Sequence, residues 1–170
     1  MRHNCTHCLF KTVNLKKMDT NESIDILNNL IVLNNDRIDG YKAAFSETYK
    51  EELRDLFTTL QQTSLHCKGE LEGEVKRMSG LPEEGTMILG KLHRGWMDIK
   101  AAITGSDSDA ILDSCEYGER TIIKAYQDAL EEDMDEVNSA QRVMLNHQLD
   151  LLKTDYVKVK AMQELMKNEV

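Results

Sequence analysis

Glu116 and Glu119 are the residues of this sequence whose types and spacing most invite chemistry. They form a Glu-x-x-Glu within Ser114-Cys-Glu-Tyr-Gly-Glu-Arg120, a stretch that reads as helix. Residues three apart are neighbours on one helix face, so the two carboxylates stand together. Inward carboxylates in a helical bundle can hold a di-metal centre. Such a centre takes one Glu from each of two helices and a Glu-x-x-His from each of the other two, so that four carboxylates balance two cations and the histidines complete the coordination. His66 and Glu70, one turn apart, add to the set. The metal-ligand candidates are therefore Glu70, Glu116 and Glu119, with iron or another divalent ion as the cofactor they would suit.

That set is incomplete. No Glu-x-x-His occurs in the chain; the first helical segment offers Asn34, with Asp36 and Asp39 to the side, and the last offers Gln148 and Asp155. A structural reading of the same residues fits better and needs no cofactor. Glu119, beside Gly118, reaches Asn34, Tyr126 or Gln148 across the bundle, making a polar core layer in which each buried group has a partner. Such a layer fixes helix register, as a buried Asn does in coiled coils. Glu116 then points to the rim and meets Arg120 one turn on.

The elements that must position these groups are helices. A first stripe runs from Thr20 or Asn21 as cap through Ile24, Leu27, Ile31, Asn34, Ile38, Tyr41 and Phe45, in steps of three and four. A second helix, about Lys50 to Met78, carries Leu53, Phe57, Leu60, Ser64, Cys67, Leu71, Val75 and Met78, and Ser79-Gly80-Leu81-Pro82 ends it. A short helix over Ile88–Ile103 follows. A third long helix, about 107–132, is striped by Ile111, Cys115, Gly118 or Glu119, Ile122, Tyr126 and Ala129. The acidic run Glu131–Glu136 suits a helix start, so a fourth is placed over about 135–167, with Val137, Met144, Gln148, Leu151, Leu152, Val159, Met162 and Leu165. No sustained period-two alternation competes. The expected fold is all-α: a ferritin-like four-helix bundle with a short extra helix in the crossover between helices 2 and 3, which lets those two run in the same direction.

Composition bounds the function. A chain of 170 residues suits one domain and can bury a core without metal or disulfide. With 21 basic against 30 acidic residues, it is not built to grip nucleic acid or an anionic membrane. No apolar run has the length of a membrane span or a secretory signal, and the expected location is the cytoplasm. Cys67 and Cys115 fall on apolar stripes and read as core thiols. Residues 1–17 stand apart: they carry +4 of a chain whose net charge is −9, leaving −13 on the rest, and are read as a basic, flexible N-terminal extension to a single domain over 18–170. Met18 would serve as a natural start to that domain. Within the extension Cys5-Thr-His-Cys8 is a lone C-x-x-C with no second ligand pair to complete a zinc site.

Other clusters carry less. Arg94 and Trp96, in His93-Arg-Gly-Trp-Met97, are candidates for a surface contact; the plainer reading has Trp96 covering the open end of the bundle while Arg94 pairs with an acid. His147 has no identifiable nucleophile or carboxylate partner. Hydrolase nucleophile motifs, phosphate-binding glycine loops and nucleic-acid motifs are absent.

The stretches Leu27–Phe45, Gly90–Gly105 and Ile111–Leu130 together resemble a bacterial family of small ferritin-like bundle proteins without a settled activity. The resemblance runs over about residues 20–165. Its most specific parts are Arg94-Gly-Trp-Met-Asp98 with Lys100, and Cys115-Glu116 with Gly118-Glu119. It implies a fold and no reaction. That family commonly has a histidine where this chain has Tyr156, so any ligand role of that histidine is lost here. The functional expectation is a non-catalytic structural or stress-associated interaction protein whose partner is a second copy of itself, as a dimer. A carboxylate-bridged iron protein is the alternative, and a small-molecule carrier using the space beneath Trp96 a third reading.

Overall fold

The computed structural model describes residues 6–86, 108–131 and 137–168; of residues 6–20, Glu47 and Ser108 it describes the backbone alone. Four helices organise them: α1 (Thr6–Glu47), α2 (Glu51–Arg77), α3 (Ser108–Glu131) and α4 (Ser139–Lys167). Among the described residues there is no strand. The short helix expected over 88–103, with Arg94 and Trp96, lies outside the described residues. The helical backbone of α1 runs unbroken from Thr6 past Met18.

Side-chain pairings fix the directions of the helices. Along α1, Asn34, Arg37 and Tyr41 meet α3 at Tyr126 and Glu119, so rising numbers on one helix face falling numbers on the other. α2 descends from the Thr48–Lys50 turn against α1, and Glu74 and Glu70 of α2 meet Gln141 and Gln148 of α4. α1 is therefore antiparallel to both α2 and α3, and α2 and α3 run the same way. α1 packs along α2 and α3 along α4; α1 with α3, and α2 with α4, close the four-helix bundle.

The apolar stripes bury as their spacing requires. Every residue of the expected α2 stripe from Leu53 to Val75 is buried, and so is every residue expected on α3. α4 departs from expectation. Its buried face runs Gln141, Leu145, Gln148, Leu152, Asp155, Val159, Gln163 and Met166, in steps of three and four, while Leu165 is exposed. Four of those positions, Gln141, Gln148, Asp155 and Gln163, are polar, so a stripe traced through apolar residues alone drifts off register. Two apolar clusters result. One gathers Leu27, Ile31, Leu71, Val75, Ile122 and Leu152. The other gathers Leu53, Phe57, Leu60, Ile111, Leu112 and Val159. The polar residues discussed below lie between them along the bundle axis.

The helix ends are specified locally. α4 opens on a capping box: Asn138 accepts from the Ala140 and Gln141 amides, and the Gln141 side chain accepts from the Asn138 amide. Gln141 also donates to Glu74 at the far end of α2 (2.8 Å), tying the start of one helix to the end of the other. α2 ends in a Schellman pattern, with the Gly80 amide donating to the Val75 carbonyl (2.9 Å) and the Ser79 amide to Lys76 (2.9 Å). The left-handed residue is Ser79, at φ 64°, and not the glycine. Gly80 is needed for closeness: a Cβ there would lie 3.0 Å from side-chain carbons of both Ile24 and Val75. Beyond it, residues 81–86 lie along α1. Asn28 brackets this strap, donating to the Leu81 carbonyl and accepting from the Glu83 amide, and Asn35 donates to the Gly85 carbonyl.

Ser79→Gly relieves left-handed strain of about 1–2 kcal/mol, offset by glycine's extra unfolded-state freedom of about 0.5–1 kcal/mol. A net gain of about 0.5–1 kcal/mol is expected in urea denaturation. Gly80→Ala is expected to lower stability in the same experiment, because its Cβ would stand 3.0 Å from Val75, a fully buried residue fixed within α2.

Candidate functional site

The centre of the bundle is a buried ion cluster to which all four helices contribute. Arg37 stands three residues after Asn34 and four before Tyr41, on the inward face of α1, and its side chain has no exposure to solvent. Its Nε donates to Glu119 Oε1 (2.9 Å) and its Nη2 to Glu119 Oε2 (2.7 Å), a two-pronged pairing with α3. Nη2 also donates to Asp155 Oδ2 of α4 (3.2 Å), and Nη1 to Ser64 Oγ of α2 (2.6 Å). Tyr41 donates its hydroxyl to Glu119 Oε1, and its ring lies 5.5 Å from the guanidinium carbon. Lys158 reaches in from the surface to Asp155 Oδ1 (2.9 Å). Two cations thus face two carboxylates.

Burial and pairing compete at each group. Burial, the largest influence on Arg37, opposes its charge, but Glu119, Tyr41 and Asp155 together outweigh it, and the guanidinium is held cationic. Burial lifts the Glu119 carboxyl above the usual carboxylate range, while Arg37 and the Tyr41 hydroxyl pull it back down. Burial, then the Glu119 charge, pushes the Tyr41 phenol well above its ordinary value, so it remains a donor. Cys115, packed beside them, is raised by burial and by Glu119; Cys67 is pushed up to about 11, chiefly by burial. Both buried thiols are therefore unreactive at neutral pH.

One turn along the axis lies a second, neutral layer. Asn34 donates to the Tyr126 hydroxyl (3.1 Å), Tyr126 donates to Gln148 Oε1 (2.8 Å), and Gln148 donates to Glu70 Oε2 (2.8 Å) at the bundle rim. His66 stands 3.7 Å from the same Glu70 oxygen. Three of the four residues expected in one polar layer, Asn34, Tyr126 and Gln148, are thus joined. Glu119 is not among them: it belongs to the Arg37 cluster, because the guanidinium offers the charge that a buried carboxylate needs and an amide or phenol does not. Glu116 does not meet Arg120. It faces α4, accepting from Tyr156 (3.1 Å), Lys160 (3.1 Å) and Gln163 (3.2 Å). The Lys160 contact, ahead of those from Gln163 and Tyr156, holds its carboxyl below the ordinary value of 4.5.

Glu70, Glu116 and Glu119, the metal-ligand candidates, therefore fall in three separate hydrogen-bonded groups. Among the described residues no three His, Cys, Asp or Glu side chains are placed together to hold a metal ion. Arg37 is the residue that sequence reasoning missed. The helical step from Asn34 allows either position 37 or 38, the apolar Ile38 suits a core stripe, and Arg37, set between Asp36 and Ile38, carries no local signal of burial. Outside the core, an open groove of about 590 Å³ between α3 and α4 is lined by Arg120, Ile123, Lys124, Gln127, Lys153 and Tyr156, and no residue of the ion cluster lines it. No helix among the described residues is long and apolar enough to cross a membrane.

Comparison with protein families places residues 22–132 in the family described as Domain of unknown function (DUF2383). The chain belongs to this family. The DUF2383 match runs from the start of the bundle part of α1 through the end of α3, so it takes in Arg37, Tyr41, Ser64 and Glu119 and leaves Asp155 and Gln148, on α4, outside it. No curated protein matches the chain.

Arg37→Met or Glu119→Gln strands a buried charge, and each is expected to cost about 3–5 kcal/mol, read by urea denaturation at neutral pH. The triple variant Arg37→Met/Glu119→Leu/Asp155→Leu removes all three charges and is expected to be far less destabilised than the sum of its parts. For Glu116 the carboxyl is depressed in the folded state, so its contribution is present above pH 4.5 and is lost as pH falls through the folded-state value. Glu116→Gln should therefore flatten the acid side of a Tm-versus-pH curve while leaving its shape near neutrality unchanged.

Proposed function

We propose that this protein is a ferritin-like bundle that works without catalysis, as a structural or stress-associated interaction protein whose partner is a second copy of itself. The co-directional α2 and α3, joined by a long connection, support the ferritin-like reading of the fold. One observation carries the functional reading. The carboxylates at the centre, Glu119 and Asp155, are already engaged by cations of the chain itself, Arg37 and Lys158. A carboxylate-bridged iron centre needs carboxylates free to face a metal, with histidines beside them. The residues here do not fit that group: the guanidinium stands between the two buried carboxylates, and the neighbouring layer offers a phenol and two amides. A reaction centre would also need an open approach, whereas Arg37, Ser64, Glu119 and Asp155 are all buried.

The interaction role then falls to the outer surface. Val143 and Val157 of α4 and Tyr117 of α3 leave apolar area in solvent. Self-association should appear as a concentration-dependent change in sedimentation from monomer toward dimer. A species that stays monomeric up to high concentration would contradict the assembly part of the reading. Elemental analysis after purification without chelator and incubation with ferrous iron should find no stoichiometric metal. Near-stoichiometric iron that disappears in Glu119→Ala would overturn the reading in favour of the iron protein.

A further inference from the structure

We infer that Arg37 is this bundle's resident cation: its guanidinium fills a position of divalent-ion chemistry, and removing it opens a site that takes a divalent metal. The inference concerns the centre alone and is independent of self-association, so either can fail without the other.

The argument starts from the donors around the guanidinium. Both oxygens of Glu119, one oxygen of Asp155, and the hydroxyl of Ser64 converge on Arg37 from three different helices, at 2.6–3.2 Å. The Tyr41 hydroxyl adjoins the same Glu119 oxygen. Two carboxylates plus neutral hydroxyls form a hard, all-oxygen set, the chemistry that suits manganese, magnesium or calcium and not a thiolate-seeking ion. Glu119 and Ser64 are wholly buried and Asp155 nearly so, so none can swing to solvent when its cation is removed. Lys158 can: its side chain is 41% exposed, and it leaves Asp155 free to meet a divalent ion.

The charge arithmetic agrees. In the native chain, Arg37 and Lys158 neutralise Glu119 and Asp155. With Arg37 truncated, two buried carboxylates face one exposed lysine, and the excess negative charge is costly in a medium of low polarisability. A divalent ion in the vacated space restores neutrality with Lys158 turned outward. Burial of the carboxylates thus makes the centre demand a cation, and the native sequence meets that demand with a tethered one that cannot dissociate.

The test uses the full chain and its variants Arg37→Ala and Arg37→Ala/Glu119→Gln, with Tm measured against manganese(II) chloride at millimolar concentration and against magnesium as a second probe. The expected result is a large drop in Tm for Arg37→Ala, a rise of several degrees on adding manganese, and no rise for either the parent or the double variant. Ligand-linked stabilisation grows with the logarithm of ion concentration, so the rise should continue as manganese is titrated. No response of a folded Arg37→Ala to either ion overturns the inference, as does an equal response in the parent or in the double variant. Should Arg37→Ala fail to fold alone, recovery of helical circular dichroism on refolding with manganese supports the inference. If it fails with the ion too, Arg37→Lys and Arg37→Gln decide: a lysine variant close to the parent and a glutamine variant far below it support a cation requirement, and equal stabilities overturn it.

Discussion

A charge held out of water must be neutralised where it stands, and in this bundle that constraint falls on Arg37. The side chain is fully buried midway along α1, and it keeps its proton. Everything around it answers that fact. Glu119 takes two of its N–H groups, Asp155 a third and Ser64 a fourth, so one side chain of α1 is bound to each of the other three helices. Sliding any helix by one turn, about 5.4 Å, would break these contacts and leave a buried ion unpaired. Apolar clusters on either side supply most of the driving force for folding, but apolar packing tolerates rearrangement, and a directional ion cluster does not.

The two tyrosines show how the apolar and polar parts are joined. Tyr126 belongs to one apolar cluster and Tyr41 to the other. Each buries its ring against aliphatic or aromatic neighbours, Tyr41 stacking on Phe57 at 5.8 Å, and each turns its hydroxyl toward the polar centre. The layers differ in character for a physical reason. Amides and phenols pair with each other without net charge, so the Asn34–Tyr126–Gln148 layer needs no counter-ion and can end at the half-exposed Glu70. The Arg37 layer must balance charge inside the core, and it draws in Lys158 from the surface to do so.

Much of this was legible from residue spacing. The α2 and α3 stripes bury as read, the end of α2 falls where Ser79-Gly80 predicts, and Asn34, Tyr126 and Gln148 meet through hydrogen bonds. What was not legible shares one cause. A stripe is traced through apolar residues, and at Arg37, Gln141, Asp155 and Gln163 the buried residue is polar. Such positions become visible only when their partners on other helices are known, because nothing in the local sequence tells a buried arginine from a solvated one. Gly80 illustrates the same limit: its place after the helix is predictable, but the glycine is required by Ile24, more than fifty residues away, while the left-handed turn falls to Ser79. Membership in the DUF2383 family adds no reaction, and it draws attention to the three helices that carry Arg37, Ser64 and Glu119.

The central claim is that Arg37 is a charged, immobile guanidinium bound to Glu119 inside the bundle. Nitrogen-15 NMR of the arginine side chains at neutral pH and room temperature tests it most directly. The account predicts separate, slowly exchanging Nη–H signals for Arg37, with its Nε–H protected from solvent, because four of its five N–H groups are held and rotation of the guanidinium is blocked. All other described arginines should show averaged, fast-exchanging Nη protons. An Arg37 whose signals are averaged and exchange like those of a surface arginine would contradict the account.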